Sequence, residues 1–413
     1  MPESLDPRPR LRPVSVSPIE HEGRPMVLVT DPSRLAAGPV VVSPAALFLL
    51  SVMDGRHDLD QIAGAFRLQF GQSLPRTHLE SLVRRLDEAC YLDNRRFADY
   101  YAGLVAEYRA APARRSPDAA SFGAADGDLA ALLDGILDGH RPIRPRPDAE
   151  PILGLIAPHL DFPRGAPAYA ESYGALAAAR PAERFVILGT NHAGRGRSVV
   201  ATGKDFETPL GRTRTDRAFL AAVERACEAD LCADEFDHQR EHSIELQVLV
   251  LQHLLGPGSF EIVPFLCHDP CGPGGTAPAD GRGVDLRVFA EHLGRLVRRD
   301  NKRTVIIAGA DFSHVGRWFG DDRDLDEAFL AEVEQHDRRA LAAVVDNDPD
   351  RFADILRSTG NHTRVCSAGA VYALLAALPE ARPELRVYHQ AADPESGNGV
   401  TCASVVLHAP DAD

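Results

Sequence analysis

Residues 304–314 read TVIIAGADFSH, an apolar run from Thr304 to Ala310 that stops at Asp311-Phe312-Ser313-His314. A short apolar run ended by polar residues is the signature of a buried strand. The same form recurs upstream, where Ile152 to Ala157 leads into Pro158-His159 and Phe185 to Gly189 leads into Thr190-Asn191-His192. Glu261 to Phe265, Leu385 to His389 and Thr401 to Leu407 are further strand candidates, and between the runs the periodicity predicts helices over Ser243 to Leu255, Val288 to Arg298 and Asp326 to Val345. Alternation of this kind predicts an α/β sheet with helices on both faces. Ligands of open α/β sheets bind outside the carboxyl ends of the strands. Parallel strands would therefore line up His159, His192 and His314 along one crevice, with Asp311 three residues before the last.

The chain has 413 residues, longer than the roughly 250–300 at which single cores stop growing, so two units are expected. Residues 13–109 read as the first. Strand-like pieces at Val14 to Val16 and Met26 to Val29 precede a helix capped by Ser43 with Pro44 at its first position, then helices over Leu59 to Phe70 and Pro75 to Ala89 and a turn at Asp93-Asn94. This layout resembles a winged-helix module, in particular the PqqD-like domain, which implies peptide binding. Residues 110–150, rich in Ala, Arg, Pro and Asp with one amphipathic piece at Leu129 to Leu137, read as a linker to a second unit over 151–410.

Forty-five basic against sixty acidic residues give a net charge of −15, which argues against a protein that coats nucleic acid. Lys204 and Lys302 are the only lysines, and the arginines are spread along the chain. The stretch Met1 to Arg12 has no apolar run behind it, and Val40 to Met53 is interrupted by Ser43-Pro44, short of the ~20 residues of a membrane helix. The expectation is a soluble, cytoplasmic protein with neither nucleic acid nor membrane as partner. Seven scattered cysteines do not form a disulfide framework. Their thiols are available for metal or redox chemistry. Cys366 precedes an apolar helix, where the helix dipole favours a thiolate and a metal would deprotonate it outright; the alternative is a buried structural thiol.

Ala157-Pro158-His159, Leu188-Gly189-Thr190-Asn191-His192, Glu207-Thr208-Pro209-Leu210-Gly211, Glu241-His242-Ser243-Ile244-Glu245-Leu246-Gln247, Asp311-Phe312-Ser313-His314 and the segment around Cys366 resemble, in order, the motifs of the Memo family over residues 151–408. The resemblance implies a fold similar to the class III extradiol dioxygenases of the LigB type. It also implies metal ligands at His159, His192 and Cys366, with Asp311 and His314 as further pocket residues. Asp161 departs from the family's pattern and is a candidate for altering the metal's surroundings. Two imidazoles and a thiolate suit a transition metal, here iron or copper rather than zinc, with a position left open. His314 is a candidate acid or base with Asp311 orienting it, and His242 opens a helix whose first turn points at the crevice. Bacterial members resembling this chain accompany AMMECR-like and radical-SAM proteins. The expected activity is therefore a metal-dependent redox enzyme acting on a small molecule or peptide, and the alternative is a non-catalytic adaptor.

His238-Gln239-Arg240-Glu241-His242 also fits H-x-x-E-H, a zinc-hydrolase signature that needs both histidines on one helix turn. Cys267-His268-Asp269-Pro270-Cys271 has no second pair at zinc-ribbon spacing and reads as a loop. There is neither a phosphate-binding G-x-x-x-x-G-K-[ST] loop nor a G-x-S-x-G elbow.

Overall fold

The computed structural model describes residues 5–116, 128–137, 149–192, 194–196 and 198–410. The chain divides into two compact units, Met1–Ala111 and Pro112–Asp413.

In the first unit, β1 (Ser15–His21) and β2 (Arg24–Thr30) form an antiparallel hairpin, and β3 (Val40–Val42) pairs with β2. Glu22 and Gly23 join the hairpin with φ of 51° and 72°, a two-residue turn with both φ positive that matches strand twist. The strands extend beyond the four-residue and three-residue pieces legible in sequence because the hairpin pairs from Ser15–Thr30 to His21–Arg24. Four helices follow: α1 (Pro44–Val52), α2 (Leu59–Phe70), α3 (Arg76–Glu88) and α4 (Arg95–Ala110). Ser43 caps α1 as expected, Asp58 and Gln61 form a reciprocal capping box on α2, and Asn94 caps α4, so the Asp93-Asn94 turn is a helix start. Val29, Leu50, Ile62, Leu79, Val83 and Leu86 form the core. The unit is thus a small antiparallel sheet covered by helices.

In the second unit, the strands β4 (Ala113–Arg115), β5 (Ile152–Ala157), β6 (Arg184–Thr190), β7 (Val200–Ala201), β8 (Asp205–Thr208), β9 (Gly211–Thr215), β10 (Glu261–Cys267), β11 (Thr304–Gly309), β12 (Asp311–Val315), β13 (Arg382–Asp393) and β14 (Asn398–His408) build one mixed sheet. Its centre, β5-β11-β6-β10, is parallel, and β14 runs antiparallel beside β5. The helices are α5 (Leu129–Ile136), α6 (Phe162–Ala178), α7 (Arg217–Cys227), α8 (His242–Leu255), α9 (Leu286–Arg299), α10 (Glu327–Val345), α11 (Pro349–Ser358) and α12 (Ala368–Ala377). Alternate residues of β6 enter opposite cores: Phe185 and Ile187 pack with α5, α6 and α8, whereas Val186 and Leu188 pack with α7, α9 and α12. Burial on both faces is why these strands read as unbroken apolar runs.

Two features depart from the sequence reading. Residues 110–150 are not only connection, since β4 pairs in parallel with β8 and α5 buries Leu129 and Leu133 in the main core. The run from Thr304 is two strands. β11 ends at Gly309, the Ala310 N–H donates to the Ala157 carbonyl at 2.7 Å, and β12 then pairs with β14 at Cys402 to Gly399, in line beyond the end of β5. This shift carries Asp311 to the rim where β5 ends.

Candidate metal centre

His159 lies two residues past β5, His192 two residues past β6, and His242 is the first residue of α8. Because β5, β6 and β11 run parallel, the first two histidines leave the sheet at the same edge, as the strand endings predicted. His242 reaches them because two glycines let α8 press onto the sheet. A Cβ on Gly189 would stand 2.5 Å from Ser243 Oγ, and one on Gly309 would stand 2.5 Å from the Ser243 carbonyl. The ligand atoms of His159, His192 and His242 lie within 4.8 Å of one another. These three imidazoles could hold a metal ion, and they are the one such group among the described residues. His159 is buried, His242 partly buried and His192 exposed, so the cluster opens to solvent past His192.

Cys366 sits in the loop before α12 with its Sγ 3.4 Å from His159 Nε2 and 3.4 Å from Ser367 Oγ. Arg364, at φ 60°, donates to the His314 carbonyl at 2.9 Å and pairs with Asp321, which fixes that loop. Thus the sulfur expected as a ligand lies against the imidazoles, and His242, expected as catalytic, stands among the metal-capable donors.

Two of the imidazoles meet a fixed acceptor at Nδ1. His159 Nδ1 faces the Gly309 carbonyl at 2.9 Å and His192 Nδ1 faces the Glu241 carboxylate at 3.0 Å, whereas His242 Nδ1 only approaches the same carboxylate, at 3.5 Å. Acceptors of this kind fix tautomer and ring orientation in metal sites. Glu241 also accepts the backbone N–H groups of His192 and Ser243 and caps α8. Asp311 accepts the backbone N–H groups of His159 and Leu160 on one oxygen, and its other oxygen is 3.5 Å from His159 Nε2. It therefore orients the first histidine and not His314, whose Nδ1 faces the Phe312 and Arg364 carbonyls at 3.1 Å. A register irregularity between Asp311 and His314 allows both to affect the site, since residues three apart on a regular strand point to opposite faces.

The protonation pattern fits exchange of protons for a cation. Burial opposes charge on all these groups, but Asp311 and Cys366 raise His159 to about 9, and Glu241 with Cys366 raises His192 well above its usual range. Burial would raise the Cys366 thiol, yet His159 and His192 hold it well below its usual range. His242 moves down to about 4 through burial and its two neighbouring imidazoles, against the pull of Glu241. Burial raises Asp311. A thiolate backed by three imidazoles is a donor set for a borderline-soft ion.

The zinc-hydrolase alternative is not supported by the geometry. His238 lies on a 3-10 turn, Glu235–Gln239, with its Nε2 3.1 Å from the Val200 carbonyl, and α8 begins only at His242, so the two histidines do not share a helix. Glu241 holds His192 instead of standing free to activate water. Asp161 caps α6 and pairs with Arg164. His268 Nε2 meets the Thr276 carbonyl at 2.9 Å, and His268 belongs to no metal-capable group among the described residues. Glu241 and Gly309 are the functional neighbours that sequence reading did not single out for these parts. The signals were present in Glu241-His242-Ser243 and in the glycine ending β11, but partner choice depends on the fold.

A family model described as Memo-like protein matches residues 119–406. The chain belongs to the Memo-like family. A MEMO1 family protein of Aquifex aeolicus is 24% identical over 338 residues, covering 82% of this chain and 83% of the relative. Another, of Methanopyrus kandleri, is 38% identical over 168 residues, covering 39% of this chain and 53% of the relative. A solved structure of an uncharacterised protein from Escherichia coli K12 is 14% identical with a TM-score of 0.37, covering 62% of this chain and 99% of that one. The matched segment of this Memo-like chain includes all the residues of the cluster, and it begins beyond the first unit.

Proposed function

We propose that this Memo-like chain is a metal-dependent enzyme of redox type, holding iron or copper through His159, His192 and Cys366 with His242 beside them. The convergence of three imidazoles within 4.8 Å, with a sulfur 3.4 Å from one of them, carries this reading. Thiolate and imidazole donors favour these metals over magnesium or calcium, and the exposed side past His192 leaves room for a small molecule or peptide. When bound, such an ion supplies Lewis acidity and one-electron chemistry. Asp311 and Glu241 keep His159 and His192 oriented, and Cys366 contributes negative charge. His314 has Nδ1 committed to backbone carbonyls, so Nε2 is the atom left to hold or release a proton, as an acid or base at the rim would. The expected likeness of the Memo fold to class III extradiol dioxygenases is in keeping with redox chemistry, although a thiolate in place of a carboxylate separates the two ligand sets.

The test is metal analysis of the full chain purified without oxygen. Wild type and His238→Ala are expected to retain about one ion, and His159→Ala and Cys366→Ser to lose it. Wild type without any transition metal, even after reconstitution, would overturn the proposal.

The first unit favours a second role. It has its own core and lies outside the family match, which supports an independent module, and we propose that it holds a peptide as the PqqD-like domain it resembles does, the chain acting as an adaptor for AMMECR-like and radical-SAM partners in the cytoplasm. Co-elution of the full chain with such partners, lost on deleting the first unit, is the expected result.

A further inference from the structure

Arg114 stands on β4 as the third residue of the second unit, in a stretch whose composition reads as linker. Its side chain is fully buried and so is that of Glu245, and the two meet at 2.6 Å, an ion contact without hydrogen-bond alignment. A charged pair removed from water in this way is costly unless further polar groups satisfy it. Ser116 donates to the other Glu245 oxygen. The remaining Arg114 donors go to main chain: Nε to the His238 carbonyl at 3.1 Å and Nη2 to the Glu241 carbonyl at 2.8 Å. These carbonyls bracket the corner that ends the 3-10 turn and starts α8. That corner presents the Glu241 carboxylate to His192 and places His242. A planar guanidinium holds two carbonyls and a carboxylate from three separate nitrogens in a rigid fork, whereas an ammonium offers its donors from a single atom on a flexible stem.

We propose that Arg114 is a positioning residue for the metal centre: by clamping the His238 and Glu241 carbonyls against Glu245 it sets the Glu241–His242 corner, and so the orientation of His192 and His242. This rests on the metal-binding reading and adds to it a residue outside the cluster. Arg114 touches neither the imidazoles nor Cys366, so its influence passes through backbone placement.

The test compares full-length wild type, Arg114→Lys and the charge-neutral pair Arg114→Met with Glu245→Gln. Co(II) affinity and visible spectrum are read first. Loss of an orienting group costs about 10–100-fold in metal affinity, and that loss with an altered Co(II) spectrum is expected for the neutral pair, with a smaller loss for Arg114→Lys. The second readout is the 1H–15N imidazole spectrum of the metal-free protein, where the His192 Nδ1–H that faces Glu241 should give one sharp hydrogen-bonded signal in wild type and a shifted or exchange-broadened one in the variants. If wild type fails to bind Co(II) but the variants still change the His192 signal, the metal reading is defeated and Arg114 remains assigned. Variants with wild-type affinity, Co(II) spectrum and His192 signal defeat the Arg114 assignment alone. If the neutral pair does not fold, Arg114→Lys decides, and wild-type behaviour on both readouts overturns the proposal.

Discussion

Replacing Glu241 by glutamine removes one oxygen from the most heavily used carboxylate at the site. One oxygen accepts the Ser243 N–H at 2.9 Å and faces His192 Nδ1 at 3.0 Å, and the other accepts the His192 N–H at 3.1 Å. Whichever way the amide is turned, its NH2 group faces at least one of these donors. A buried donor left unpaired costs roughly 1–3 kcal/mol, and a hydrogen bond to a charged group contributes about 1.5–3 kcal/mol. Glu241→Gln should therefore destabilise the metal-free second unit by roughly 2–4 kcal/mol. The His192 ring loses its charged orienting acceptor, and the expected fall in metal affinity of about 10–100-fold corresponds to roughly 1.4–2.7 kcal/mol. Burial alone would raise the Glu241 pKa, but His192 holds it well below the usual carboxylate range. Its contribution is thus present above the unfolded carboxylate pKa of about 4.3 and is lost only as the pH falls through the depressed folded value. Differential scanning calorimetry of the metal-free protein and anaerobic Co(II) titration measure both effects. Wild-type unfolding together with affinity within threefold of wild type would refute this account of the cluster.

Three further outcomes are expected. Leu133→Ala in α5, where Leu133 is fully buried against the main core, should cost about 2–5 kcal/mol in chemical denaturation; a change below about 0.5 kcal/mol would mean that α5 is only a tether. Gly309→Ala would put a Cβ 2.5 Å from the Ser243 carbonyl, so it should destabilise by about 1–3 kcal/mol and weaken metal binding by displacing α8, whereas unchanged binding would show that His242 does not depend on that close approach. Buried His238 is lowered to about 4 chiefly by burial, below an unfolded value of about 6.5. Protonation then favours the unfolded chain, and stability should decline as pH falls from about 6.5 to about 4, by up to roughly 3 kcal/mol. Urea titrations should give a shallower decline for His238→Gln, and parallel pH slopes for the two proteins would contradict this.

Much of the second unit was legible because burial on both faces leaves a plain mark. Phe185 to Leu188 are apolar without alternation because successive side chains enter two cores, and β5, β6 and β11 fall on the predicted runs. The break between β11 and β12 was hidden, since Gly309 and Ala310 continue the apolar run while the pairing changes from β5 and β6 to β14. β4 was hidden for a different reason: a three-residue strand carries too few positions for periodicity to register, and its buried Arg114 looks hydrophilic in isolation.

The order of residues along the chain was sufficient to establish an α/β unit, the histidines at two strand ends and the kinship carried by the motifs around them, because strand periodicity and local motifs are written in neighbouring positions. Which donors share a point in space was decided by tertiary contacts. Two glycines admit α8 against the sheet, so His242 joins His159 and His192 although they are 50 to 83 residues apart. Asp311 turns to the His159 backbone and Glu241 to the His192 ring. Hydrogen-bond partners of buried carboxylates are chosen by whichever donors the packed core leaves within about 3 Å, and that proximity is a property of the closed fold.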